Sequence, residues 1–159
     1  MNSNAITKWD KRFLQLAKCI SEWSKDPSTK VGAVIVTQDT HEVLGMGFNG
    51  FPRTMEDSAL LYGQRQKKYE RIIHAEMNAI LQMKPSLGRP LTLYTWPFQP
   101  CSRCMVHIGQ TDINEVVAPE LSPTYEKRWG EDMALARELA QEMRIHMEYV
   151  KEWDNVLYL

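Results

Sequence analysis

The segment Val31-Gly32-Ala33-Val34-Ile35-Val36 decides the fold class, because it is short, apolar and rich in β-branched residues. These properties predict a buried strand. The polar turn Gln38-Asp39-Thr40 separates it from a second predicted strand over 43–48, and the two are close enough to form a hairpin. Further strands are predicted over 91–96, at 116–117 and over 145–150.

Helical patterns surround these strands. An apolar residue recurs every three or four positions before the first strand, which indicates an amphipathic helix. The residues of this stripe are Trp9, Phe13, Leu16, Ile20 and Trp23. Other helices are predicted over about 58–72, 75–83 and 131–143, and one with Pro100 as its first residue. The order of elements predicts an α/β fold in three layers, with helices on both faces of a five-stranded sheet.

Size and charge favour a soluble protein with a small-molecule ligand. The 159 residues carry a formal net charge of −1, with 43% hydrophobic and 25% charged residues. These values are typical of one globular domain, so we expect a single domain over residues 1–159. Nucleic-acid binders usually show a basic excess, which this chain lacks. Its basic cluster, Arg65, Lys67, Lys68 and Arg71, is interpreted as a solvated helix face.

Location follows from what the sequence lacks. No apolar stretch is long enough to cross a bilayer. The N-terminal residues Met1–Asn4 lack the features of a signal peptide, so we expect a cytoplasmic protein. Three cysteines give no disulfide framework, and Cys19 falls in the apolar pattern of the first helix, so we expect it in the core without a role.

The chemistry resides in two short motifs, His74-Ala75-Glu76 and Pro100-Cys101-Ser102-Arg103-Cys104. Imidazole and thiolate are preferred zinc ligands, and three protein ligands leave a fourth position for a water molecule. The pKa of such a water falls towards neutrality. The sequence therefore predicts one catalytic zinc held by His74, Cys101 and Cys104, with Glu76 moving the proton.

The spacing fits this arrangement if both motifs begin helices. Cys101 and Cys104 are three residues apart and share one helix face. Helix N-termini favour thiolates. His74 and Glu76 are only two residues apart, and in the middle of a helix they would face different sides. Both can therefore face one metal only if the helix begins at this point.

Two other interpretations of the cysteines stay open. The pair could be a redox dithiol, as in thioredoxin-like proteins. A closed structural zinc site is the second, with His107 as a fourth ligand, although such a site has no need of Glu76.

Together the motifs match the H-x-E and P-C-x-x-C signature of zinc nucleobase deaminases. Four segments carry a more specific resemblance, which runs from about Trp9 to Val117. They are Ser24–Ala33 (SKDPSTKVGA), Gly47–Pro52 (GFNGFP), His74–Ile80 (HAEMNAI) and Pro100–Cys104 (PCSRC). With these segments the chain resembles the cytidine and deoxycytidylate (dCMP) deaminases, and the dCMP branch in particular.

The resemblance implies a cytidine-deaminase-like fold with a mixed sheet, and hydrolysis of dCMP to dUMP and ammonia for thymidylate synthesis. It also implies activation by dCTP, inhibition by dTTP and a homo-oligomer, often a hexamer. Mg²⁺ would accompany a nucleoside triphosphate effector. For a substrate site it implies Ser24 and Lys25 at the 5′-phosphate, Asn49 at the sugar, and Ala75 and Tyr125 nearby. Without the resemblance, Lys25 is equally an exposed loop lysine and Asn49 a turn residue.

For the effector, the resemblance points to the residues around one loop: Asn49, Gly50, Phe51, Arg53 and Asp57. The chain departs from the family pattern in two places. Thr54 stands where glycine is frequent, and no cysteine lies between Phe51 and Ile73 for a second, structural zinc. Both departures concern effector control and the second metal rather than catalysis.

Three competing functions remain at this point. The first is a deaminase for another base, including adenosine in tRNA. The second is a nucleotide-binding protein without catalysis, for which Glu76 would be unnecessary. The third is a thiol oxidoreductase using Cys101 and Cys104.

Overall fold

A computed structural model describes residues 6–151 of the chain. Met1–Asn4, on which the expected location partly rests, fall outside the described residues. The strands are β1 (Gly32–Thr37), β2 (Val43–Phe48), β3 (Leu91–Trp96), β4 (Ile113–Pro119) and β5 (His146–Val150). The helices are α1 (Lys8–Ser21), α2 (Ala59–Gly63), α3 (Arg65–Arg71), α4 (Ala75–Gln82), α5 (Ser102–Ile108) and α6 (Pro123–Glu142).

The strands form one mixed five-stranded sheet in the order β2-β1-β3-β4-β5. β1 is antiparallel to both β2 and β3, which confirms the hairpin, whereas β3, β4 and β5 run parallel. Because β3, β4 and β5 are parallel, the helices α5 and α6 that connect them cross over the sheet. The three-layer α/β prediction is therefore confirmed.

Strand residues alternate between two cores, one on each face of the sheet. Ala33 and Ile35 of β1 pack with residues of α4, α5 and α6, whereas Val34 and Val36 pack under α1. In β3, Leu93 faces the first core and Tyr94 the second. The face covered by α4, α5 and α6 is the one that carries both chemical motifs.

The first helix differs in part from its predicted stripe. A capping box between Thr7 and Asp10 starts α1, and Phe13 and Ile20 are buried as expected. Trp23 is 59% exposed because α1 ends at Ser21, before that tryptophan. Cys19 is also exposed, so its assignment to the core was wrong.

Two helix predictions need new boundaries. The segment 58–72 forms two short helices, α2 and α3, which Gln64 separates in an extended conformation. The last helix begins at Pro123, eight residues before its predicted start, with Ser122 as N-cap and proline in its first turn. No helix within residues 6–151 combines the length and apolarity that a membrane span requires.

Candidate metal centre

His74 and Glu76 lie at the beginning of α4, as the interpretation of the motif requires. His74 is the N-cap with extended backbone, at φ −68° and ψ 153°, and Glu76 lies in the first turn. The backbone therefore changes direction between the two residues, so both side chains can reach one side of the helix start. Both line the same cavity.

The cysteine pair lies at the start of α5, which begins at Ser102, two residues later than predicted. Cys101 is the N-cap, and its Sγ accepts a hydrogen bond from the Cys104 backbone N–H at 3.5 Å. Pro100 consequently precedes the helix and is not its first residue, because the thiol takes the capping position that a polar side chain usually fills. Cys104 is buried one turn into the helix.

The three predicted ligands converge. His74 Nδ1 lies 3.4 Å from the Sγ atoms of both Cys101 and Cys104. A tetrahedral zinc at about 2.05 Å from nitrogen and about 2.3 Å from sulfur would separate these atoms by about 3.6 Å. The observed distances and the donor set therefore fit a zinc ion. Within the described part of the chain, these residues are the one group of three potential ligands whose donor atoms lie within 4.8 Å of one another.

When no metal is bound, the pKa values of His74, Cys101 and Cys104 shift in different directions. The hydrogen bond from Cys104 and contact with His74 lower the pKa of Cys101 to about 4. The hydrogen bond to Cys101 raises the pKa of His74 to about 9. The hydrogen bond with Cys101 and burial raise the pKa of Cys104. When no metal is bound, these pKa shifts favour a proton on His74 and on Cys104 and a thiolate at Cys101.

Glu76 is buried beside this centre, with 3% of its surface exposed. Cys104 Sγ donates to Glu76 Oε2 at 3.7 Å. Burial raises the pKa of Glu76, an effect that the charge of His74 opposes. Burial therefore favours the protonated form of this carboxyl group, which suits a group that passes a proton to a bound molecule.

His107 does not complete a closed structural site. Its Nδ1 donates to the carbonyl of Arg103 at 2.7 Å, and the side chain is exposed on α5. It is not part of the ligand group formed by His74, Cys101 and Cys104. Three ligands at the edge of an open cavity match the arrangement of catalytic zinc sites.

The last helix, α6, fixes the loop that carries the cysteines. Asp132 accepts hydrogen bonds from the Ser102 N–H at 3.0 Å and from its hydroxyl at 2.5 Å. Gln99, 1% exposed, donates to the Met133 carbonyl at 3.1 Å. The Oε1 of Gln99 accepts from Tyr149 at 2.7 Å. Sequence reasoning did not single out Gln99 or Asp132, although Gln99 directly precedes Pro100.

A cavity of about 280 Å³ opens above the metal centre. This volume lies near the lower end of the range of small-molecule pockets. Its walls come from the loop before β1, from α3 and α4, from the loop before α5, and from α6. The lining residues are Asp26, Thr29, Val31, Asn49, Lys68, Tyr69, Ile72, His74, Ala75, Glu76, Phe98, Gln99, Cys101, Arg128, Trp129, Asp132 and Met133.

Of the expected substrate residues, Asn49 and Ala75 line the cavity and Ser24 does not. Asn49 Oδ1 accepts from the Val31 N–H at 2.8 Å, and its Nδ2 donates to the Thr29 carbonyl at 2.9 Å. The hydroxyl of buried Ser24 donates to the Asn49 carbonyl at 2.8 Å. Ser24 therefore supports the backbone at Asn49 from outside the cavity.

Lys25 and Tyr125 also lie outside the lining. Lys25 is largely exposed and forms an ion pair with Asp57 at 2.7 Å, which joins an expected substrate residue to an expected effector residue. Tyr125 stacks on Trp129, with ring centroids 5.4 Å apart, and meets the edge of Phe98. It packs behind two lining residues.

The other expected effector residues form the loop that follows β2. Gly50 pairs with Ile73 through two backbone hydrogen bonds, at 3.1 and 2.8 Å, and so connects this loop to the residue before His74. Phe51 stacks on Tyr62 with centroids 4.1 Å apart. Arg53 is exposed. Asp57, further along the same loop, pairs with Lys25. Of the expected effector residues, Asn49 is the one that lines the cavity.

Two cations of the cavity were not predicted as site residues. Lys68 on α3 is 5% exposed and pairs with Asp26 at 3.2 Å, so the interpretation of the basic cluster as a solvated face was wrong for this lysine. Arg128 lies on α6, four residues before Asp132 and on the same face of that helix. In the sequence, the four-residue spacing of Arg128 and Asp132 was the pattern that could have indicated that α6 forms a wall of the cavity.

The fold and the His/Cys/Cys centre beside a buried glutamate define a zinc-binding hydrolytic deaminase. Residues 7–120 match the family model described as the cytidine and deoxycytidylate deaminase zinc-binding region. The chain belongs to this family, and it is a deaminase.

Relatives agree with this assignment. The chain is 38% identical over 145 residues to an uncharacterized deaminase in the luxG 3′ region of Aliivibrio fischeri, covering 91% of this chain and 95% of that protein. It is 32% identical over 115 residues to the deoxycytidylate deaminase of Homo sapiens, covering 69% of this chain and 64% of that protein. The chain therefore spans slightly less than two thirds of the human protein.

A solved structure shares the fold at low sequence identity. The dCMP deaminase of cyanophage S-TIM5, in complex with dCMP and dUMP, superposes with a TM-score of 0.71 at 18% identity. The superposition covers 92% of this chain and 100% of that one. The likeness confirms the cytidine-deaminase-like architecture.

Proposed function

We propose that this protein hydrolyses the exocyclic amino group of dCMP and releases dUMP and ammonia. The observation that carries the proposal is the placement of buried Glu76 beside His74, Cys101 and Cys104 at one wall of an open cavity. The names of the human relative and of the phage structure support dCMP as the substrate.

Glu76 is the group that moves the proton. A zinc ion held by the three ligands supplies Lewis-acid activation of water when it is bound. Burial raises the pKa of Glu76 and so favours its protonated form. Its carboxyl group is therefore suited to take a proton from the attacking water and give it to the ring nitrogen of the substrate. Glu76 then takes the second proton of the attacking water and delivers it to the amino group, which leaves as ammonia.

The rest of the cavity suits a pyrimidine nucleotide. Val31, Phe98 and Trp129 offer apolar and aromatic surface against which a flat base can pack. Asn49 Oδ1 accepts one hydrogen bond within the described residues, so a second lone pair is left for a sugar hydroxyl. This supports the proposed contact of Asn49 with the sugar.

We also propose the regulation that the resemblance implies, with dCTP activating and dTTP inhibiting, and Mg²⁺ accompanying the triphosphate. Two connections support this proposal. The Gly50–Ile73 backbone pair joins the loop after β2 to the residue that directly precedes the metal ligand His74. The ion pair of Asp57 with Lys25 joins the same loop to the segment before β1. Thr54 remains a departure from the family pattern at this loop.

The broader proposals follow from the same function. We infer a single deaminase domain over residues 1–159, a cytoplasmic location, supply of dUMP for thymidylate synthesis, and assembly into a homo-oligomer, with a hexamer as the first expectation. The near-neutral charge supports a free nucleotide rather than a nucleic acid as substrate.

Ammonia release from dCMP, deoxycytidine and dCTP tests the proposal, measured in parallel on zinc-loaded protein. We expect dCMP to be the best substrate, with turnover lowered by dTTP and raised by dCTP. Turnover of another base with silence on dCMP would assign a different deaminase. Reversible Cys101–Cys104 oxidation in zinc-free protein, with silence on every base, would favour the oxidoreductase.

A further inference from the structure

We propose that Tyr149 on β5 and Arg137 on α6 are positioning residues for the metal centre, and that they act through the side-chain amide of Gln99. These three side chains are called the Gln99 network below. The inference rests on the metal centre that the proposed function uses. It goes beyond that function because it connects β5, a strand at the edge of the sheet, to the metal ligand Cys101.

Gln99 lies at the wall of the cavity with every hydrogen-bonding position of its amide in use. It lines the cavity and is 1% exposed. A glutamine amide has two lone pairs on Oε1 and two N–H groups on Nε2. Oε1 accepts from the Tyr149 hydroxyl at 2.7 Å and from Arg137 Nη1 at 3.3 Å. Nε2 donates to the carbonyls of Met133 at 3.1 Å and Pro100 at 3.4 Å. The amide therefore holds its neighbours and has no group left for a substrate.

The chemistry of the four partners fixes the orientation of this amide. The carbonyls of Met133 and Pro100 can only accept, and the guanidinium of Arg137 can only donate. If the amide turned over, its oxygen would face two carbonyl oxygens and its N–H groups would face the guanidinium. Because unpaired buried polar groups destabilise a protein, the observed orientation is retained. The donors Tyr149 and Arg137 thus determine the direction in which Nε2 donates.

Two adjacent residues of α6 hold the cysteine loop on both sides of Cys101. Gln99 donates to the Met133 carbonyl, and the Ser102 N–H donates to Asp132 at 3.0 Å. Cys101 lies between the two attached residues in the chain, so release of either attachment lets its Sγ move relative to the other ligands. Supporting contacts of this kind orient metal ligands without touching the metal.

The network also connects the loop to elements that are distant in sequence. Arg137 lies four residues after Met133 and on the same face of α6. Tyr149 lies fifty positions after Gln99, on β5, which pairs with β4. Burial raises the pKa of Tyr149, an effect that Arg137 opposes, so the hydroxyl remains a donor at neutral pH. Both donors therefore come from elements that follow the metal ligands in the chain.

The test compares Tyr149→Phe with Tyr94→Phe. Tyr94 is a matched control, because its buried side chain packs on the opposite face of the sheet and its hydroxyl donates to Asp10 at 2.8 Å. Each variant removes one hydroxyl and one hydrogen bond of similar length. The measurement is the rate at which a chromogenic chelator extracts zinc. Tyr149→Phe should raise this rate about fivefold, as loss of one hydrogen bond predicts, and Tyr94→Phe should leave it unchanged.

A spectrum separates positioning from a general loss of stability. Cobalt(II) in place of zinc gives visible absorption bands whose positions and intensities depend on the coordination geometry. Tyr149→Phe and Gln99→Leu should shift these bands, whereas Tyr94→Phe should keep the wild-type spectrum even if it lowers Tm. Tyr149→Phe carries the test if Gln99→Leu does not fold. A Tyr149→Phe protein with the spectrum and extraction rate of Tyr94→Phe would overturn the proposal.

A double-mutant cycle tests whether Tyr149 acts through Gln99. In a Gln99→Leu background, which by itself should raise the extraction rate about tenfold, Tyr149→Phe should cause no further change. Two effects that multiply independently would overturn the route through Gln99.

Arg137 is tested by rescue. Arg137→Met should raise the zinc extraction rate about fivefold, because Oε1 of Gln99 loses one donor. Arg137→Lys keeps a cationic donor on the same face of α6 and should restore much of the wild-type rate. Equal rates for the two variants would remove Arg137 from the network.

The failure of this inference and that of the proposed function are distinguishable, because zinc extraction is measured without substrate. If wild-type protein does not deaminate dCMP but Tyr149→Phe still accelerates extraction, the function fails and the network stands. If dCMP is deaminated but Tyr149→Phe matches Tyr94→Phe, the network fails and the function stands. In active protein, Tyr149→Phe should lower kcat for dCMP with little change in KM, since the Gln99 amide does not contact the substrate.

Discussion

The carboxylate of Asp132 clamps Ser102 through two hydrogen bonds, one to its backbone N–H at 3.0 Å and one to its hydroxyl at 2.5 Å. Ser102 lies between the two metal-ligating cysteines, and Asp132 lies on α6, thirty positions away. The ligand loop therefore takes its position from a helix that follows it in the chain. Partners of this kind orient metal ligands without touching the metal.

Asp132→Ala is expected to weaken zinc retention. Loss of both hydrogen bonds frees the loop between Cys101 and Cys104, and removal of outer partners commonly lowers metal affinity about 10–100-fold. The measurement is the rate at which a chromogenic chelator extracts zinc from the folded protein. Glu131→Ala, which removes the same type of charge from an exposed neighbouring position, is the control. Equal extraction rates for the two variants would contradict a positioning role for Asp132.

Glu76→Gln should retain zinc and lose turnover. The amide has nearly the same shape as the carboxyl group, but it cannot exchange a proton with the substrate. General acid–base catalysis typically contributes about 10²–10⁴-fold, so kcat for dCMP should fall by that amount. Zinc content and ammonia release are measured on the same preparation. A zinc-loaded Glu76→Gln protein with wild-type kcat would remove Glu76 from the reaction.

Local patterns predicted the strands, and two short motifs, H-x-E and P-C-x-x-C, predicted the metal ligands, because each strand or motif is continuous in sequence. The strand over 43–48 has the predicted bounds, and His74, Cys101 and Cys104 converge once two helix starts face each other. Lys68 could not be placed in this way. Its burial depends on Asp26, 42 positions earlier, and helical periodicity alone made it one of several surface cations.

The substrate residues show the same limit. A serine and a lysine in a loop are reasonable phosphate ligands by chemistry, but the direction of a loop side chain follows from long-range packing. Here the Ser24 hydroxyl donates a hydrogen bond to the Asn49 carbonyl in the interior, whereas Lys25 pairs with Asp57 at the surface. The supporting roles of Gln99 and Asp132 at the cysteine loop likewise depend on the position of α6. The sequence did not predict the first eight residues of this helix.

Metal-free protein should be alkylated selectively at Cys101. Its pKa is lowered to about 4, so it is a thiolate over the whole neutral range, whereas the pKa of Cys104 is raised and that thiol stays protonated. In a Cys19→Ala background, which removes the exposed third thiol, the rate of Cys101 alkylation should be nearly constant between about pH 6 and pH 8. It should fall only as the pH drops through the pKa of about 4.

Peptide mass spectrometry after a short iodoacetamide pulse gives the site and the rate. Zinc-loaded protein is the internal control, because coordination should protect both cysteines. A rate that rises about tenfold per pH unit across the neutral range would show an ordinary thiol at Cys101 and contradict the imidazolium–thiolate pair with His74.

Gly47→Ala should destabilise the fold and displace the catalytic helix. Gly47 lies on β2 where α4 crosses it, and a Cβ there would lie 2.5 Å from the Ala75 carbonyl oxygen and also collide with the Ala79 backbone N. Because both contacts are backbone atoms, no side-chain rotation can relieve them. Overpacking of this type costs about 1–3 kcal/mol or more, which corresponds to a fall in Tm of about 2–4 °C per kcal/mol.

Any relief must come from α4 moving away from the sheet, and that movement carries His74 and Glu76 away from the cysteines. Gly47→Ala is therefore expected to lower both Tm and zinc affinity, measured by calorimetry and chelator competition. Gly63→Ala is the matched control, since nothing lies within 4 Å of a Cβ at that position, and it should leave both quantities unchanged or slightly raise Tm. A lower Tm with unchanged zinc affinity in Gly47→Ala would show that the metal centre does not depend on the close contact between β2 and α4.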